Sequence, residues 1–598
     1  MSDVIPTRFF HQAETLGPKP LFYVKRDKAY RAVTWQDAAD QVMAFAGFLI
    51  RQGVNPGDRV VILSENRPEW GIADLAIQSV GAWTVPIYPS LAVQDIRVIC
   101  EDCQPILGIA STNEQASKLV EVRAQCPSTR AIIVMEAMPS SSPLVMGWSE
   151  TIAVGRQDRS ALRPEIERRL SCLQPDSTAT LLYTSGTTGE PKGVMLSHGN
   201  ILSNVTACLQ VIPISGADLH LSFLPLSHIF ERMAGWYLML SVGARVAYAE
   251  SMETIPENMR EIRPTVMLGV PRFFEKLALR VQEALQQLPP AKRRLANWAL
   301  GVGRAYVACL TEARHVPRGL ALKRLIADRA VFRKLRVRLG GRLRFFVSGS
   351  APLSKEIGEF FYSVGITILE GYGLTETSPV ISANRLHRPR FGSVGQLLPG
   401  VEVRIAEDGE ILTRGPHVMQ GYYQQPEATS AAIVEGWFHT GDIGRMDDEG
   451  FLYITDRKKD LIKTAGGKFV APQKLENLFV TDPYISQAVV YGDRRPYCVA
   501  LIVPNMDQLR RYAQEQEIAA RSTQELVCNQ RILDFYWRRV EAKQQGLASF
   551  EQVKKIALLD EEFSQATGEL TPTLKAKRTI ICKRYEPLLE ALYQPTAS

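Results

Sequence analysis

The chain has 598 residues, of which 45% are hydrophobic and 22% are charged. This composition is ordinary for a globular protein, so it excludes a disordered chain, and the length predicts more than one domain. The formal charge of +7 is local, because segment 291–344 carries fifteen Lys and Arg against two acidic residues, a net +13, which leaves −6 for the remainder. This segment predicts an anionic partner, such as phospholipid headgroups or the phosphates of a coenzyme; a solvated helical face is the alternative.

Cysteines and apolar stretches bear on the compartment. The nine cysteines are scattered over the chain, which indicates a reducing compartment rather than a disulfide scaffold. Cys100 and Cys103 form a C-x-x-C with no second pair or nearby His, so we expect them to be buried apolar side chains. The first residues carry no secretory signal, from which we expect a cytoplasmic protein. Stretch 233–244 is too short to span a membrane and predicts buried core or the wall of a ligand tunnel.

The predicted elements alternate between helix and strand from the start of the chain. Residues 33–57 predict an amphipathic helix with Thr34 as its N-cap. Short apolar, β-prone runs then alternate with helical patterns, which predicts parallel sheets, and their number indicates two fused sheets. The predicted strands are 59–63, 84–87, 106–110, 131–134, 181–183, 220–223, 245–247, 266–269, 343–347 and 366–369.

Three later segments depart from this alternation. Residues 276–341 are helical, basic and nearly strandless, which predicts an inserted helical subdomain. From 394 to 456, short strands with turn residues predict a small β-rich element. The charged connector 456–460, DRKKD, predicts a domain break, after which a new alternation begins.

The stretch 181–200, LLYTSGTTGEPKGVMLSHGN, predicts a strand followed by a phosphate-binding loop. Its glycines let the backbone approach an anion, successive N–H groups and hydroxyls donate, and Lys192 adds a cation. It is not the P-loop of kinases and GTPases, because Pro191, Lys192 and Gly193 stand where that motif needs Gly, Lys and Ser or Thr. A Gly/Ser/Thr-rich surface loop is the alternative.

The sequence of stretch 181–200 resembles the signature loop of the adenylate-forming superfamily. This superfamily comprises acyl-CoA synthetases, nonribosomal-peptide adenylation domains and luciferases. Further stretches match that family in its order: LPLSHIFER (224–232), FVSGSAPL (346–353), ILEGYGLTETSPV (368–380), GWFHTGDIG (436–444), DRKKDLIKTAGGKFV (456–470) and LTPTLKAKR (570–578). LPLSHIFER resembles the long-chain branch, and many long-chain acyl-CoA synthetases carry an insertion where 276–341 lies. The chain is therefore identified as similar to the long-chain fatty acid:CoA ligases.

The resemblance implies an α/β fold with two domains. The N-terminal domain, 1–456, would consist of two fused mixed or parallel sheets and a small β-barrel-like element (394–456), with the helical insertion at 276–341. The C-terminal domain, 457–598, would be a small, mobile α+β unit that follows a hinge near Lys459.

The resemblance also implies the roles of individual residues at the nucleotide. Tyr372, held between glycines, would stack on adenine, and Thr375 would contact the α-phosphate. Asp442 would accept hydrogen bonds from the ribose hydroxyls, and Arg457 would contact the ribose. Glu376 would bind magnesium, since a hard cation that bridges phosphates prefers carboxylate oxygen, with Thr184 as the second metal residue. The nucleotide-binding set is Thr184, Ser185, Gly186, Thr187, Thr188, Gly189, Lys192, Gly349, Ser350, Ala351, Glu370, Gly371, Tyr372, Gly373, Thr375, Asp442 and Arg457.

Catalysis and the second substrate complete the implied site. Lys575, Thr184, Glu376 and Lys192 would be the catalytic residues. His228 would line the mouth of the acyl pocket, and Gly466 would line the passage for the pantetheine arm of CoA. LKAKR departs from the SGKxxRR of short-chain relatives, so the choice between Lys575 and Lys577 as the adenylation lysine stays open.

The implied reaction is ATP-dependent activation of a long-chain fatty acid to acyl-adenylate, followed by transfer to CoA to give acyl-CoA, AMP and pyrophosphate. We expect ATP, Mg²⁺ and CoA to be used, no nucleic-acid partner, and peripheral contact with the inner face of the membrane through the basic insertion. A fatty acyl-AMP ligase that loads an acyl carrier protein is one alternative, which the hinge and the AGG loop disfavour. A non-catalytic lipid- or membrane-binding adaptor is another, against which the retained Lys192, Glu376, Asp442 and Lys575 argue.

Overall fold

The computed structural model describes residues 2–136, 144–184, 191–312, 314–565, 567–571 and 575–594. The predicted phosphate-loop residues Ser185, Gly186, Thr187, Thr188 and Gly189 lie outside these ranges. Within them, no helix is both long enough and apolar enough to cross a membrane.

The described strands, numbered in chain order, are β1 (Pro20–Arg26), β2 (Ala29–Thr34), β3 (Arg59–Leu63), β4 (Trp83–Ile87), β5 (Leu107–Ala110), β6 (Ala131–Val134), β7 (Val145–Gly147), β8 (Thr178–Thr184), β9 (Lys192–Ser197), β10 (Leu219–Ser222), β11 (Arg245–Tyr248), β12 (Val266–Gly269), β13 (Phe345–Ser348), β14 (Ile368–Gly373), β15 (Val380–Ala383), β16 (Gln396–Leu397), β17 (Glu402–Ile405), β18 (Glu410–Arg414), β19 (Gly421–Tyr422), β20 (Ile433–Val434), β21 (Trp437–Met446), β22 (Leu452–Arg457), β23 (Ile462–Lys463), β24 (Phe469–Val470), β25 (Ile485–Tyr491), β26 (Cys498–Pro504) and β27 (Val553–Leu558).

The described α-helices are α1 (Ile5–Leu16), α2 (Trp35–Arg51), α3 (Pro68–Ser79), α4 (Val93–Cys103), α5 (Asn113–Arg123), α6 (Trp148–Gln157), α7 (Arg159–Cys172), α8 (His198–Val211), α9 (Leu238–Ser241), α10 (Ile255–Ile262), α11 (Pro271–Gln286), α12 (Pro290–Thr311), α13 (Arg318–Ala327), α14 (Arg333–Arg338), α15 (Lys355–Ser363), α16 (Pro426–Ala432), α17 (Pro472–Phe479), α18 (Met506–Glu515), α19 (Thr523–Val527), α20 (Gln530–Lys543), α21 (Arg578–Arg584) and α22 (Glu586–Ala591). Two π-helical turns, Glu231–Tyr237 and Asp328–Phe332, and a 3₁₀ turn, Thr375–Thr377, complete the described helical structure.

Two large sheets carry the first part of the chain, as predicted. The first has the order β19-β9-β8-β4-β3-β5-β6-β7, and the second β16-β15-β14-β13-β12-β10-β11-β1-β2. The central strands of both run parallel, whereas the β8–β9, β9–β19, β14–β15 and β1–β2 pairs are antiparallel. The ten predicted strands all occur, because each is a short apolar run that the sheets bury.

Local capping fixes the start of α2 where the sequence predicts it. The hydroxyl of Thr34 accepts the backbone N–H of Asp37 at 3.1 Å, and the Asp37 carboxylate accepts the N–H of Thr34 at 3.3 Å. This capping box satisfies donors that the first helical turn leaves free. The apolar face of α2 then packs into the main core through Phe45, Phe48 and Leu49.

The β-rich element is an antiparallel sheet of β17-β18-β21-β20, with β22 added to β21. Residues 394–456 do not all belong to it, because β19 leaves the element and pairs with β9 at the edge of the first sheet. This departure from the predicted grouping brings Tyr422 close to Lys192.

The predicted helical insertion contains parts of α11 and all of α12, α13 and α14, with no strand among its described residues. Stretch 233–244 is buried core, with Met233 at 0% and Trp236 at 1% exposure. Cys100 and Cys103 are buried and free, as expected.

The chain after the connector packs around cores of its own. The sheet β25-β26-β27 separates two apolar clusters, one around Phe479 and Tyr536 and the other around Val499 and Ile581. The connector 456–460 begins in β22, which ends at Arg457, and its residues 458–460 form a turn.

Candidate active site

Two parallel strands of the second sheet end beside each other at the site. β13 leads into Gly349, Ser350 and Ala351, while the neighbouring β14 ends in Gly371, Tyr372 and Gly373. Since ligands bind beyond the carboxyl ends of strands in open α/β sheets, this edge is where a nucleotide is expected.

Two glycines at this edge are required by close packing. A Cβ on Gly373 would stand 1.7 Å from the Pro379 carbonyl oxygen, and one on Gly349 would stand 2.9 Å from the Phe230 ring. Both distances are far inside van der Waals contact, so a larger residue would displace either the backbone or the ring. A Cβ on Gly371, by contrast, would meet only ordinary contacts.

Tyr372, Asp442 and Arg457 form one hydrogen-bonded cluster. The Tyr372 hydroxyl donates to Asp442 Oδ2 at 2.7 Å, and Arg457 Nε lies 3.1 Å from Asp442 Oδ1. Burial, reinforced by the Asp442 carboxylate, holds the pKa of Tyr372 well above its usual range, so its hydroxyl keeps its proton. Asp442 is only 4% exposed, and it lies opposite Arg457 in the pairing of β21 with β22.

A second cluster joins Glu376 to Lys192 through Tyr422. The Tyr422 hydroxyl donates to Glu376 Oε1 at 3.0 Å, and Lys192 Nζ lies 4.9 Å from the centre of the Tyr422 ring. Burial raises the pKa of the Glu376 carboxyl, a shift that the Tyr422 hydrogen bond opposes. Thr184, opposite Lys192 in the β8–β9 hairpin, completes the described rim of the predicted phosphate loop.

Sequence reasoning missed Tyr422, since its position depends on how β19 pairs. The sequence places Tyr422 some 46 residues after Glu376 with no motif to relate them. The only sequence signal for β19 is the motif GYY at 421–423, in which an aromatic residue follows a glycine.

The donor set fits a magnesium ion that is bound together with phosphates. Within the described part of the chain, no group of three or more His, Cys, Asp or Glu forms a ready metal cage. Mg²⁺ is commonly bound by one or two carboxylates together with substrate phosphates and water, and Glu376 supplies such a carboxylate.

Lys575 interacts electrostatically with Arg457 and Asp442. Burial, and next the Arg457 charge, lowers the pKa of Lys575 to about 8, while Asp442 and Asp460 oppose the shift. The charge of Lys575 also contributes to the lowered pKa of His228. The backbone N–H of Lys577 donates to the Glu569 carbonyl at 2.7 Å.

His228 is held in its neutral form. Burial, with Lys575 as a second cause, lowers the pKa of His228 to about 3, and its Nδ1 accepts the N–H of Phe230 at 3.1 Å. The proton of the neutral ring is therefore on Nε2. Ile229 and Phe230 beside it are buried in the apolar core.

Glu370 lies in the strand rather than in the open part of the site. Its Oε1 accepts the N–H of Leu353 at 3.0 Å, and burial raises the pKa of the carboxyl to about 8. This contact ties β14 to the loop of Ser350 and Ala351. Thr375 begins the 3₁₀ turn that carries Glu376.

Two predicted residues are not brought to the nucleotide cluster. Gly466 is exposed in the turn between β23 and β24, and an added Cβ would be 4.0 Å from Thr464 Oγ1. Lys459 is exposed in the connector. Lys575 and Gly466 therefore occupy different surroundings.

Comparison with known proteins places the chain in a family. The AMP-binding enzyme family profile matches residues 9–423, and the profile of the AMP-binding enzyme C-terminal domain matches residues 459–597. The chain belongs to the AMP-binding enzymes, the adenylate-forming superfamily that its motifs resemble.

Among known proteins, the chain is similar to long-chain-fatty-acid–CoA ligases. The chain is 35% identical over 579 residues to long-chain-fatty-acid–CoA ligase FadD15 of Mycobacterium tuberculosis, covering 95% of this chain and 93% of the relative. It is 31% identical over 602 residues to long-chain-fatty-acid–CoA ligase 5 of Rattus norvegicus, covering 96% and 86%.

Solved structures share the fold over nearly the whole chain. The adenylation domain of a carboxylate reductase from Mycobacterium chelonae aligns with a TM-score of 0.77 at 24% identity, covering 99% of this chain and 91% of that one. The anthranilate CoA ligase AuaEII, solved with anthranoyl-AMP, aligns with a TM-score of 0.74 at 19% identity, covering 99% and 98%.

Proposed function

We propose that the protein is an AMP-forming ligase that activates a long-chain fatty acid with ATP and transfers the acyl group to CoA. The observation that carries this proposal is the hydrogen-bonded cluster of Tyr372, Asp442 and Arg457 beyond the end of β14. The relatives that are named long-chain-fatty-acid–CoA ligases support both the reaction and the substrate class.

In the first step, a carboxylate oxygen of the fatty acid attacks the α-phosphorus of ATP in line, and pyrophosphate leaves. The barrier comes from negative charge that accumulates between two anions, so fixed cations at that point lower it. Lys575 would neutralise the α-phosphate and Lys192 the outer phosphates. Asp442 would accept hydrogen bonds from the ribose hydroxyls, for which Arg457 and Tyr372 hold it.

A magnesium ion would add positive charge between the phosphates when ATP is bound. Glu376, with Thr184, would hold it, and Tyr422 would orient the carboxylate through their 3.0 Å hydrogen bond. Tyr422 also lies under Lys192, so one ring would position both charged groups.

In the second step, the CoA thiol loses its proton to solvent and its sulfur attacks the acyl carbonyl carbon; the bond to the AMP oxygen breaks and AMP leaves, so no enzyme residue becomes acylated. Gly466 would line the thiol passage, although it is exposed in the present orientation. The C-terminal residues would therefore rotate about the connector between the two steps.

The test measures each step separately. Purified protein with ATP, Mg²⁺ and palmitate should release pyrophosphate, and adding CoA should yield palmitoyl-CoA and AMP. Absence of pyrophosphate release with fatty acids from short to long would contradict the ligase and favour a binding adaptor. Release without transfer to free CoA would contradict CoA as the acceptor and point to a carrier protein.

The basic insertion supports a second, finer proposal: it binds the surface of an anionic membrane. In segment 291–344, Arg314, Arg336 and Arg344 form direct ion pairs with acidic residues, and among the described residues no other Lys or Arg of this segment does. On α13, Leu322, Leu325 and Ile326 are 60%, 47% and 50% exposed.

The spacing of these three residues places them on one face of the helix. Apolar side chains beside unpaired basic ones are typical of helices that lie in a membrane interface, where each basic residue near the surface contributes about 1 kcal/mol. Trp298 and Leu295 on α12 are also exposed, at 38% and 44%.

Vesicle sedimentation tests this proposal. The protein should bind vesicles that contain phosphatidylserine, and added salt should weaken binding, because charges more than about 8 Å apart are screened at physiological ionic strength. Changing Leu322, Leu325 and Ile326 to Ser should reduce binding further, whereas Val98→Ser, an exposed residue outside the insertion, should not. No binding to anionic vesicles would favour a solvated face.

A further inference from the structure

Helix α11 joins the site to the C-terminal residues. It begins directly after β12, and Phe273 in its first turn packs on Phe223, with ring centroids 4.9 Å apart, and on Phe346, at 6.1 Å. Phe346 lies in β13, the strand that leads to Gly349. The first turn of α11 is therefore rigidly attached to the strands that carry the nucleotide loops.

Arg272, the residue before Phe273, contacts the C-terminal part of the chain. Arg272 donates through Nη1 to the Ser486 carbonyl at 2.5 Å and through Nη2 to Ser486 Oγ at 3.0 Å. Glu275, one turn later, orients the guanidinium at 3.3 Å. Ser486 Oγ in turn donates to Glu562 at 2.5 Å, so the contact extends from β25 to the segment after β27.

This contact is largely closed to water. The side chains of Arg272 and Glu275 are 20% and 15% exposed, and Ser486 is 8% exposed. A charge-assisted pair of hydrogen bonds in such surroundings is stronger than one in bulk water. Arg272 is suited to it because its planar fork matches two acceptors on one residue.

A second contact lies further along the same helix. Gln508 Nε2, on α18, donates to Glu283 Oε1 at 3.0 Å. Positions 272 and 283 are eleven residues apart, so the two contacts are separated by about 16 Å along the helix axis. Two contacts at that separation fix the direction of the C-terminal residues relative to α11, which one contact alone would not do.

We propose that Arg272 is a positioning residue that selects the orientation in which Lys575 faces Asp442. Arg272 contacts neither nucleotide cluster, so it acts through Ser486 on the placement of the C-terminal residues. A rotation about the connector that brings Gly466 toward the thiol passage would carry Ser486 and Gln508 away from α11. The Arg272 contact therefore stabilises the adenylating orientation alone.

This inference rests on the proposed two-step reaction, and its test compares the two half-reactions in variants of the full chain. Arg272→Ala should slow pyrophosphate release from fatty acid and ATP by about 10- to 100-fold. Conversion of supplied acyl-adenylate and CoA to thioester should stay within about twofold of the unaltered protein. Arg272→Lys, which keeps one donor for the Ser486 carbonyl, should restore part of the adenylation rate.

Two further variants guard against a folding defect. Arg280→Ala removes an exposed arginine from the same helix and should leave both half-reactions unchanged. Gln508→Ala removes the hydrogen bond to Glu283 by changing the residue that lies outside α11. It should slow adenylation but not thioester formation, and by a smaller factor than Arg272→Ala. Because it does not alter α11, it separates loss of orientation from loss of that helix.

The outcomes distinguish this inference from the proposed function. If the unaltered protein releases no pyrophosphate, the proposed function fails. If it is active but Arg272→Ala slows both half-reactions alike, or neither, the positioning role of Arg272 is wrong while the ligase stands. Selective loss of thioester formation would also overturn it.

Discussion

The lowered pKa of Lys575 predicts how adenylation depends on pH. With a pKa of about 8, Lys575 is roughly 90% protonated at pH 7 and roughly 10% at pH 9. Because the cation is the form that neutralises the α-phosphate, kcat/KM for ATP in pyrophosphate release should fall about tenfold over this range. kcat/KM reports the free enzyme, so the fall should have its midpoint near pH 8.

Two variants assign this fall to Lys575. Lys575→Arg keeps a cation whose pKa lies far above 9, so its lower rate should be nearly flat from pH 7 to 9. Lys575→Ala should lose about 10²- to 10³-fold in adenylation, the usual effect of removing one stabilising donor, yet still convert supplied acyl-adenylate and CoA to thioester. Loss of both half-reactions alike would contradict alternation.

Two control variants change Lys577, which is near Lys575 in the sequence, and Glu370, whose pKa is similar to that of Lys575. Lys577→Ala should retain both the rate and the alkaline fall; if it alone abolished adenylation, the assignment of Lys575 would be wrong. Glu370, whose pKa burial raises to about 8, titrates in the same range, so Glu370→Gln must keep the fall. A profile that stays flat in the unaltered protein would refute the reasoning.

Four other predictions follow from the site. Glu376→Gln should reduce adenylation far more than fatty-acid binding, measured by pyrophosphate release and by titration calorimetry; equal losses would contradict a metal-binding role. Lys459→Pro, which fixes φ near −65°, should spare adenylation and slow thioester formation. Gly466→Leu should have the same signature, by filling the passage, and a normal transfer rate would place the thiol elsewhere. The pKa of Glu370 in the folded protein is raised above the usual value of about 4.3. Glu370 therefore stabilises the fold at pH values below about 4.3, and this stabilisation is lost as the pH rises toward 8. Between pH 5 and 8, the melting temperature of Glu370→Gln should therefore rise relative to that of the unaltered protein.

The strands of the two sheets could be predicted where burial on both faces leaves a continuous apolar run. β3 and β12 match their predicted bounds for this reason, and β6 does too. The β1–β2 hairpin was not predicted, because β1 is only partly buried and its turn uses Asp27 and Lys28 at φ of 51° and 62°. Those residues lack the Asn-Gly wording by which such turns are recognised.

The same limit applies to the candidate site. Sequence motifs predict roles for Asp442, Arg457 and Lys575, since each belongs to a stretch with its own signature. The link from Glu376 through Tyr422 to Lys192 depends on the pairing of two-residue β19, and the contact of Arg272 with Ser486 depends on how two folded units dock. Local sequence patterns contain neither relation, because both arise from tertiary packing over long separations.

The connector itself shows where a rotation between the two steps would start. Lys458 is fixed to the β-rich element: its N–H donates to the Gly441 carbonyl at 2.8 Å, and its Nζ lies 2.6 Å from Asp408 and 2.9 Å from Glu410. Lys459 is exposed and has no ion pair among the described residues. Because Lys458 is anchored on one side, backbone rotation at Lys459 is the first that moves the following residues without breaking these contacts. Removing the side-chain contacts of this anchor with Lys458→Ala should therefore shift the pivot, whereas a change at Lys459 should alter the rotation alone.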